Sequence, residues 1–414
     1  MIIGISINKL FGRFNYDIKF KPGGVTILTG PNGFGKSTIL KSINSLSEGY
    51  EGIKYFFDLD FERIVIKFKN SGQDITINKN RDEILINDFK IEKKMVLRSA
   101  RRRKHNIIEK EYFDVEYKTV SRKVVCEEDW LPEHFIREEL DYRKYIDFQR
   151  NLNKMIEYLG NVYFIREERL ISKKVKLSSN EKFINAIEEL PKNLISRINY
   201  VSNNYSTICS KLDSTYPNRL FDTKLGITEK DYKTNIIKMT RKFKKLSEYD
   251  ISTSQNSSNV VFKKEHSKAL KVYFDDFEKK YEVYAELIEK LDLFTSIVNS
   301  RLRFKKVKIS KDKGITIIDL EDNDKYIDLK SLSSGEKQVI VLFYELIFET
   351  EDNTLLLIDE PEISLHISWQ KKFMDDLLRV VENKNLNVVV ATHSPQIINN
   401  HWDIQIDLGE LYGN

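Results

Sequence analysis

Gly30-Pro31-Asn32-Gly33-Phe34-Gly35-Lys36-Ser37-Thr38 is the stretch that decides how this chain folds. It satisfies G-x-x-x-x-G-K-[ST], and its surroundings fit: Val25-Thr26-Ile27-Leu28-Thr29 reads as a strand before it and Ile39-Leu40-Lys41-Ser42-Ile43 as a helix after it. In that order the glycines let the backbone curl so that several N–H groups point at one anion, to which the helix N-terminus adds partial positive charge. A phosphate chain is the ligand such a loop fits. Lys36 is expected to meet the β- and γ-oxygens and Ser37 to offer its hydroxyl to Mg²⁺, with Asn32, Gly33, Phe34, Gly35 and Thr38 completing the binding loop. The plain alternative is a glycine-rich turn that merely opens a helix.

Two later strands carry the matching chemistry. Leu355-Leu356-Leu357-Ile358 is a continuous apolar run, as expected of a central parallel strand covered on both faces, and it delivers Asp359 and Glu360 to the sheet edge where open α/β folds bind ligands. Asp359 suits a magnesium shell and Glu360 suits polarisation of an attacking water; a surface acidic pair before Pro361 is the bland reading. Val388-Val389-Val390 is a second buried strand, and Thr392-His393-Ser394-Pro395 sits at its end. A lone histidine is more often structural, but a strand end beside the acidic pair points His393 at the γ-phosphate or the attacking water. His366 has no such argument.

The rest of the 414 residues sets limits. With 41% hydrophobic residues the chain is long enough for two or three cooperating units. Cys126 and Cys209 are the two cysteines, far apart and without zinc spacing, so they read as ordinary thiols. A net charge of +5 with 32% charged residues permits contact with nucleic acid without arguing for it. No segment approaches the roughly 18 apolar residues that cross a bilayer, and no signal peptide opens the chain, which together predict a cytoplasmic protein.

Alternation from Ile2 to Phe20, and short runs at Tyr55–Phe57, Arg63–Phe68, Ile75–Ile77 and Ile84–Ile86, predict an antiparallel sheet around the first helix. From about residue 140 to 303 the chain turns poor in Gly and Pro and rich in Lys and Glu, with apolar spacing of three and four, which predicts helices. Phe274, Phe277, Tyr281, Tyr284, Ile288, Leu291 and Val298 form the seam of a coiled coil or helical hairpin; a partner-docking face is the alternative. The polar run Ile251 to Asn259 is the tip between two helices or a disordered loop. Arg98 and Arg101-Arg102-Arg103-Lys104-His105 would suit DNA phosphates or an acidic partner, unless they are a solvated face balanced by Glu109, Glu111, Asp114 and Glu116. Val307–Ile309 and Ile315–Leu320 alternate again as strands.

With Leu332-Ser333-Ser334-Gly335-Glu336-Lys337-Gln338 added, the chain resembles the ABC-type ATPases, in the group of OLD, RecF, Rad50 and SMC-like heads. Ser333, Ser334, Gly335 and Glu336 stand where that superfamily has its signature loop, Asp359 and Glu360 at its Walker B, and His393 at its switch. Ser334 and Glu336 replace the Gly and Gln usual in transporters, which turns the reading away from transport. Tyr163 to Leu170 looks like the strand that ends in the Q-loop, with Glu168 at the Gln position as a candidate contact to Mg²⁺ or water.

The resemblance implies an α/β fold: a P-loop ABC-ATPase head of mixed sheet with an antiparallel β subdomain and an inserted helical, coiled-coil arm. Residues 1–140 and 304–414 would form the head and 141–303 the arm. It implies ATP and Mg²⁺ as ligands, and a homodimer or higher homo-oligomer in which the signature of one subunit meets, in trans, ATP bound by the other. A short arm and no nuclease following His393 are most similar to ATPase subunits of two-component anti-phage systems, PARIS (AriA-like) first and Septu-type next. That likeness implies a sensor and scaffold controlling a separate TOPRIM-like toxin nuclease, triggered by a phage protein. The alternative is a RecF- or Rad50-like repair ATPase that clamps DNA.

Overall fold

The computed structural model describes residues 2–21, 24–69, 74–93, 112–114, 119–121, 150–177, 180–251, 262–322, 324–384 and 386–413. The chain divides into two compact units: one of residues 1–164, 352–360 and 384–414, the other of residues 165–351 and 361–383. The basic run Arg98 to His105, the polar residues Ser252 to Asn259, and Cys126 lie outside the described residues.

The first unit holds two sheets. Strands β1 (Ile2–Leu10), β2 (Phe14–Lys19), β4 (Arg63–Phe68), β5 (Ile75–Asn80), β6 (Glu83–Ile86) and β7 (Phe89–Glu92) form a six-stranded sheet in the order β2-β1-β4-β5-β6-β7, antiparallel throughout. The alternation that predicted it is visible in burial: Phe14, Tyr16 and Ile18 point inward on β2 while their neighbours face out. The second sheet runs β10 (Val162–Ile165), β16 (Leu355–Asp359), β17 (Asn387–Ala391), β3 (Val25–Thr29) and β18 (Gln405–Asp407) in that spatial order. β16 with β17, β17 with β3 and β3 with β18 pair in parallel, and every residue of β3 and β16 is buried, as a strand covered on both faces requires. Helix α1 (Lys36–Ser47) buries Ile39, Leu40, Ile43 and Leu46 in the core that also takes in Leu28, Leu357 and Val389. A hairpin of β8 (Tyr112–Asp114) and β9 (Thr119–Ser121) completes the strands described here.

One expectation fails in this unit. Tyr55–Phe57 is not a strand but the end of α2 (Tyr50–Asp58), because Ile53, Phe56 and Phe57 bury on one helical face and Gly52 lets α2 pass against the Ser45 carbonyl. Beyond His393, α9 (Pro395–Ile398) is followed by β18, which pairs with β3, and by α10 (Leu408–Gly413).

In the second unit three helices dominate: α3 (Ala186–Asp222), α4 (Glu229–Glu248) and α5 (Ser267–Asn299). α4 starts on a Thr228/Asp231 capping box. The predicted seam of α5 is the buried side of these helices. Tyr284 packs at 5.1 Å on Tyr205 of α3 and donates to Ser202 at 3.2 Å, while Phe274 and Phe277 meet Tyr232 and Phe243 of α4. The strand expected at the start of Tyr163 to Leu170 is β10, but the mainly helical stretch also contains a hairpin of β11 (Ile171–Leu177) and β12 (Asn180–Asn185), where cross-strand pairing overrides a Lys- and Glu-rich composition. β13 (Lys305–Ser310), β14 (Gly314–Asp319) and β15 (Tyr326–Ile327) form a small antiparallel sheet. α6 (Ser334–Tyr344) runs into a π-turn at Glu345–Glu349, and α7 (Ile367–Gln370) and α8 (Phe373–Asn383) follow. A buried Arg301–Asp376 pair, its guanidinium 4.8 Å over the Phe343 ring, ties α8 to the end of α5. Among the described residues no helix is long and apolar enough to cross a membrane.

Candidate nucleotide site

β3 ends at Thr29, and Gly30 opens the loop that carries the chain into α1. Gly30, Gly33 and Gly35 take φ of 136°, 83° and 88°, a region that side chains rarely adopt. Gly35 is doubly constrained, since a Cβ there would lie 2.6 Å from Cδ2 of Leu10. Gly35 is also the N-cap of α1 and has no side chain to cap it, so the first N–H groups of the helix face the loop as donors for an anion.

Lys36 is only 4% exposed. Its ammonium donates to the carbonyls of Gly30 at 2.9 Å and Pro31 at 3.3 Å and lies 3.1 Å from Nδ1 of His393. The strand register brings the other residues to the same edge: Asp359 on β16 pairs with Ala391 on β17, which pairs with Leu28 on β3. Ser37 Oγ accordingly donates to Asp359 Oδ1 at 2.8 Å. Glu360 turns sharply away with a φ of 45°, pinned by its N–H to the Ala391 carbonyl at 2.9 Å, and Thr392 N–H holds the Leu28 carbonyl at 3.1 Å. A non-glycine residue in that region stores strain of order 1–3 kcal/mol, a common mark of a working site. His393 Nε2 then reaches Glu360 Oε1 at 3.2 Å.

Lys36, Ser37, Asp359, Glu360 and His393, distant in sequence, thus form one polar cluster. Gly33, Gly35, Lys36, Ser37, Thr38, His393 and Phe11 line a cavity of about 160 Å³ there. The Ser37 hydroxyl and the Asp359 carboxylate are adjacent hard oxygen donors, and such a pair suits Mg²⁺, which takes one or two protein ligands and completes its shell with phosphate and water.

A second cavity of about 250 Å³ is lined by Asn32, Gly33 and Phe34 of the loop and by Phe11, Arg13 and Phe14. Phe11 and Arg13 come from the β1–β2 turn and Phe14 opens β2; the sequence did not single them out. Gly12, which takes a φ of 73°, was the one signal of a tight turn in the sequence, but nothing local says that the turn reaches the loop. Phe34 is held by aromatic neighbours: Phe14 at 4.9 Å, Tyr412 at 6.0 Å, and the Tyr16 hydroxyl, which donates to its carbonyl at 2.9 Å.

The remaining predicted residues belong to the second unit. Glu168 lies in the turn after β10, where its carbonyl accepts from Ile171 N–H at 3.4 Å. Ser333 is the N-cap of α6, and Glu336 closes a capping box with it. Gly335 has no room for a side chain, since its Cβ would lie 2.7 Å from the Ser364 carbonyl.

The chain matches the AAA ATPase domain family, AAA_15, over residues 1–398. It is 39% identical over 105 residues to UvrABC system protein A of Aquifex aeolicus (strain VF5), covering 25% of this chain and 11% of that protein. It is 26% identical over 133 residues to Protein ea59 of Escherichia phage lambda, covering 29% of this chain and 25% of ea59. Across 92% of this chain it is 22% identical to the spermidine/putrescine import ATP-binding protein PotA of Ureaplasma parvum serovar 3, 65% of which is covered. The match therefore spans about a tenth of the UvrA protein and less than two thirds of PotA. A Smc head domain from Pyrococcus furiosus, solved bound to the C-terminal domain of ScpA, superposes with a TM-score of 0.42 at 13% identity, covering 96% of this chain and 91% of that one.

Proposed function

The chain belongs to the AAA ATPase domain family and is an ATPase; from that premise we propose that Gly30 to Thr38 bind Mg·ATP and that Glu360 and His393 drive its hydrolysis. The observation that carries this is the cluster in which Ser37 contacts Asp359 while His393 bridges Lys36 and Glu360. A phosphate chain in the cavity takes over the Lys36 ammonium and the uncapped N–H groups of α1. Ser37 and Asp359 would hold a magnesium ion, whose charge would offset that of the β- and γ-phosphates. Glu360 then accepts a hydrogen bond from the attacking water and His393 donates one to the γ-phosphate. Glu168 is a further candidate contact to metal or water. Phe11, Arg13, Phe14 and Phe34 offer the nucleobase an apolar and cationic pocket.

Ser333 to Glu336 carry the second half of the reading, as a helix N-terminus that meets the nucleotide of a second copy and makes hydrolysis a property of a homodimer. The output we assign to that dimer is control of a separate effector, a TOPRIM-like nuclease in an anti-phage system, with ATP closure as the sensor; this rests on likeness to the PARIS and Septu ATPases. The test is size-exclusion chromatography with light scattering, with and without ATP, on Glu360→Gln, joined to affinity capture and mass spectrometry from the native host. ATP-independent monomers and no co-purifying nuclease would sink it.

One observation favours the DNA-clamp reading. On α4, Lys242 and Lys245 face α5 and pair with Glu278 and Asp292, whereas the exposed Lys238, Arg241 and Lys244 have no ion pair among the described residues. Cations spaced three apart on one helix face repel each other, so the fold gains nothing from them, while duplex phosphates would. DNA affinity that falls steeply with salt and is lost in a triple alanine variant supports this reading; salt-independent or absent binding excludes it.

A further inference from the structure

The signature helix opens on an electrostatic conflict. Glu336 accepts hydrogen bonds from Ser333 N–H at 2.8 Å and from the Ser333 hydroxyl at 2.9 Å, and its own N–H donates back to Ser333 Oγ at 3.3 Å. A capping box is closed equally well by Glu or by Gln at this position, so the helix start does not need the charge. An acidic side chain in the first turn favours the helix itself, yet it also cancels the positive end that would attract an incoming anion. A triphosphate approaching Ser333 and Ser334 meets a carboxylate in the same turn.

Lys305 of β13 removes the conflict. Its ammonium donates to both carboxylate oxygens of Glu336, at 3.0 and 3.1 Å, and the pair is largely shielded from solvent. Burial alone would raise the Glu336 carboxyl, but the Ser333 N–H, the Lys305 ammonium and the Ser333 hydroxyl together hold it below the ordinary glutamate range, so Glu336 is an anion there. Lys305 is a half-buried cation carried by the start of a strand rather than by the signature itself. Nothing in the spacing of the signature signals it, since it lies on β13, outside the motif.

We propose that Lys305 is the positioning residue of the signature: by cancelling the charge of Glu336 it lets the N-terminus of α6 receive the triphosphate held by a second copy of the chain. The inference rests on the reading that Ser333 to Glu336 meet a partner's nucleotide. It makes the Glu336–Lys305 pair the equivalent, in charge, of a neutral glutamine.

A charge cycle tests it. ATP-dependent dimerisation is measured by analytical ultracentrifugation, and binding of a fluorescent ATP analogue to the monomer is measured separately, for the wild type, Lys305→Ala, Lys305→Met and the double variant Lys305→Ala/Glu336→Gln. Removing one partner of a hydrogen-bonded charge pair leaves the other uncompensated, so both single variants are expected to weaken the ATP-dependent dimer by about tenfold or more, with monomer nucleotide affinity within about twofold of wild type. The double variant is expected to regain most of the dimer affinity, because Gln keeps the cap and carries no charge. A double variant as weak as Lys305→Ala, in proteins whose melting temperatures match, makes Lys305 a packing residue and overturns the inference. A wild type that dimerises and is indifferent to Lys305→Ala overturns it alone. A wild type that does not dimerise with ATP overturns it together with the reading beneath it.

Discussion

Nε2 of His393 lies 3.2 Å from Oε1 of Glu360. The opposite ring nitrogen, Nδ1, faces the Lys36 ammonium at 3.1 Å. An ammonium can only donate, so Nδ1 is the acceptor and Nε2 carries the proton that Glu360 accepts. The imidazole therefore links Lys36, proposed to bind phosphate, to the carboxylate proposed to orient water. Glu360→Gln keeps the side-chain volume and one acceptor but loses the charge, and it is expected to lower the ATPase rate by about 10²-fold or more while ATP stays bound. Single-turnover hydrolysis checks this, and a wild-type rate would remove Glu360 from the mechanism.

Lys36→Ala takes out the cation that the loop carbonyls now hold. Loss of ATP binding is the expected result, read as loss of the ATP-induced rise in melting temperature. A ligand at about a hundredfold its Kd stabilises by about 2.7 kcal/mol, so the wild-type shift is large enough for its disappearance to be unambiguous. His393→Ala should behave differently, retaining that shift and losing turnover.

The contrast between what the sequence disclosed and what it hid follows the range of the forces. The loop, β16 and β17 were legible because each is a local pattern: a glycine spacing, an apolar run, a polar strand end. Convergence of Asp359 and His393 on Lys36 could be anticipated only because parallel strands of one sheet end at one edge. Phe11 and Arg13 were invisible because the β1–β2 turn reaches the loop through sheet geometry alone. α2 was misread since Tyr55-Phe56-Phe57 is a three-residue apolar run, which fits either period, and Ile53 on the same helical face was the discriminating residue. Lys305 was overlooked because an ion pair across 31 positions leaves no pattern in composition.

Glu345 opens the π-turn that ends α6, and its burial pushes the carboxyl up to about 7, with Arg169 opposing and Glu349 reinforcing the shift. The folded state therefore holds a proton that the unfolded chain has released above its ordinary value near 4.5. Stability must fall as pH rises between those two values and stay low above about 7. Glu345→Gln removes that dependence. It is expected to stabilise the protein by on the order of 2–3 kcal/mol at pH 8 and by little at pH 4.5, measured as denaturation midpoints at the two pH values. An equal shift at both would mean that Glu345 is not the titrating group.

Arg13 lies 5.7 Å from the Phe14 ring centroid at the mouth of the larger cavity. If that cavity takes the base, Phe11→Ala and Arg13→Ala remove stacking and cationic contacts that ground state and transition state share, so KM for ATP should rise about three- to tenfold with kcat nearly unchanged. A fall in kcat with KM unchanged would move both residues from binding to chemistry.

Tyr412 supplies the last test, because it asks whether the C-terminal strand and helix matter to the loop they touch. Its ring stands edge-on to Phe14 at 5.0 Å and to Phe34 at 6.0 Å. The start of α10 closes on the other end of the loop, where a Cβ on Gly30 would lie 3.2 Å from Leu408 and one on Gly409 would lie 3.3 Å from Pro31. The glycine loop is thus gripped at its first glycine and at Phe34. Aromatic pairs of this kind contribute about 0.5–1.5 kcal/mol beyond the area they bury, enough to loosen Phe34 without unfolding the sheet. Tyr412→Ala should therefore raise KM for ATP several-fold at nearly constant kcat, and Tyr412→Phe, which keeps the ring, should restore it. Steady-state kinetics on the two variants decides: equal effects would assign the role to the hydroxyl, and no effect from either would show that the loop holds its shape without α10.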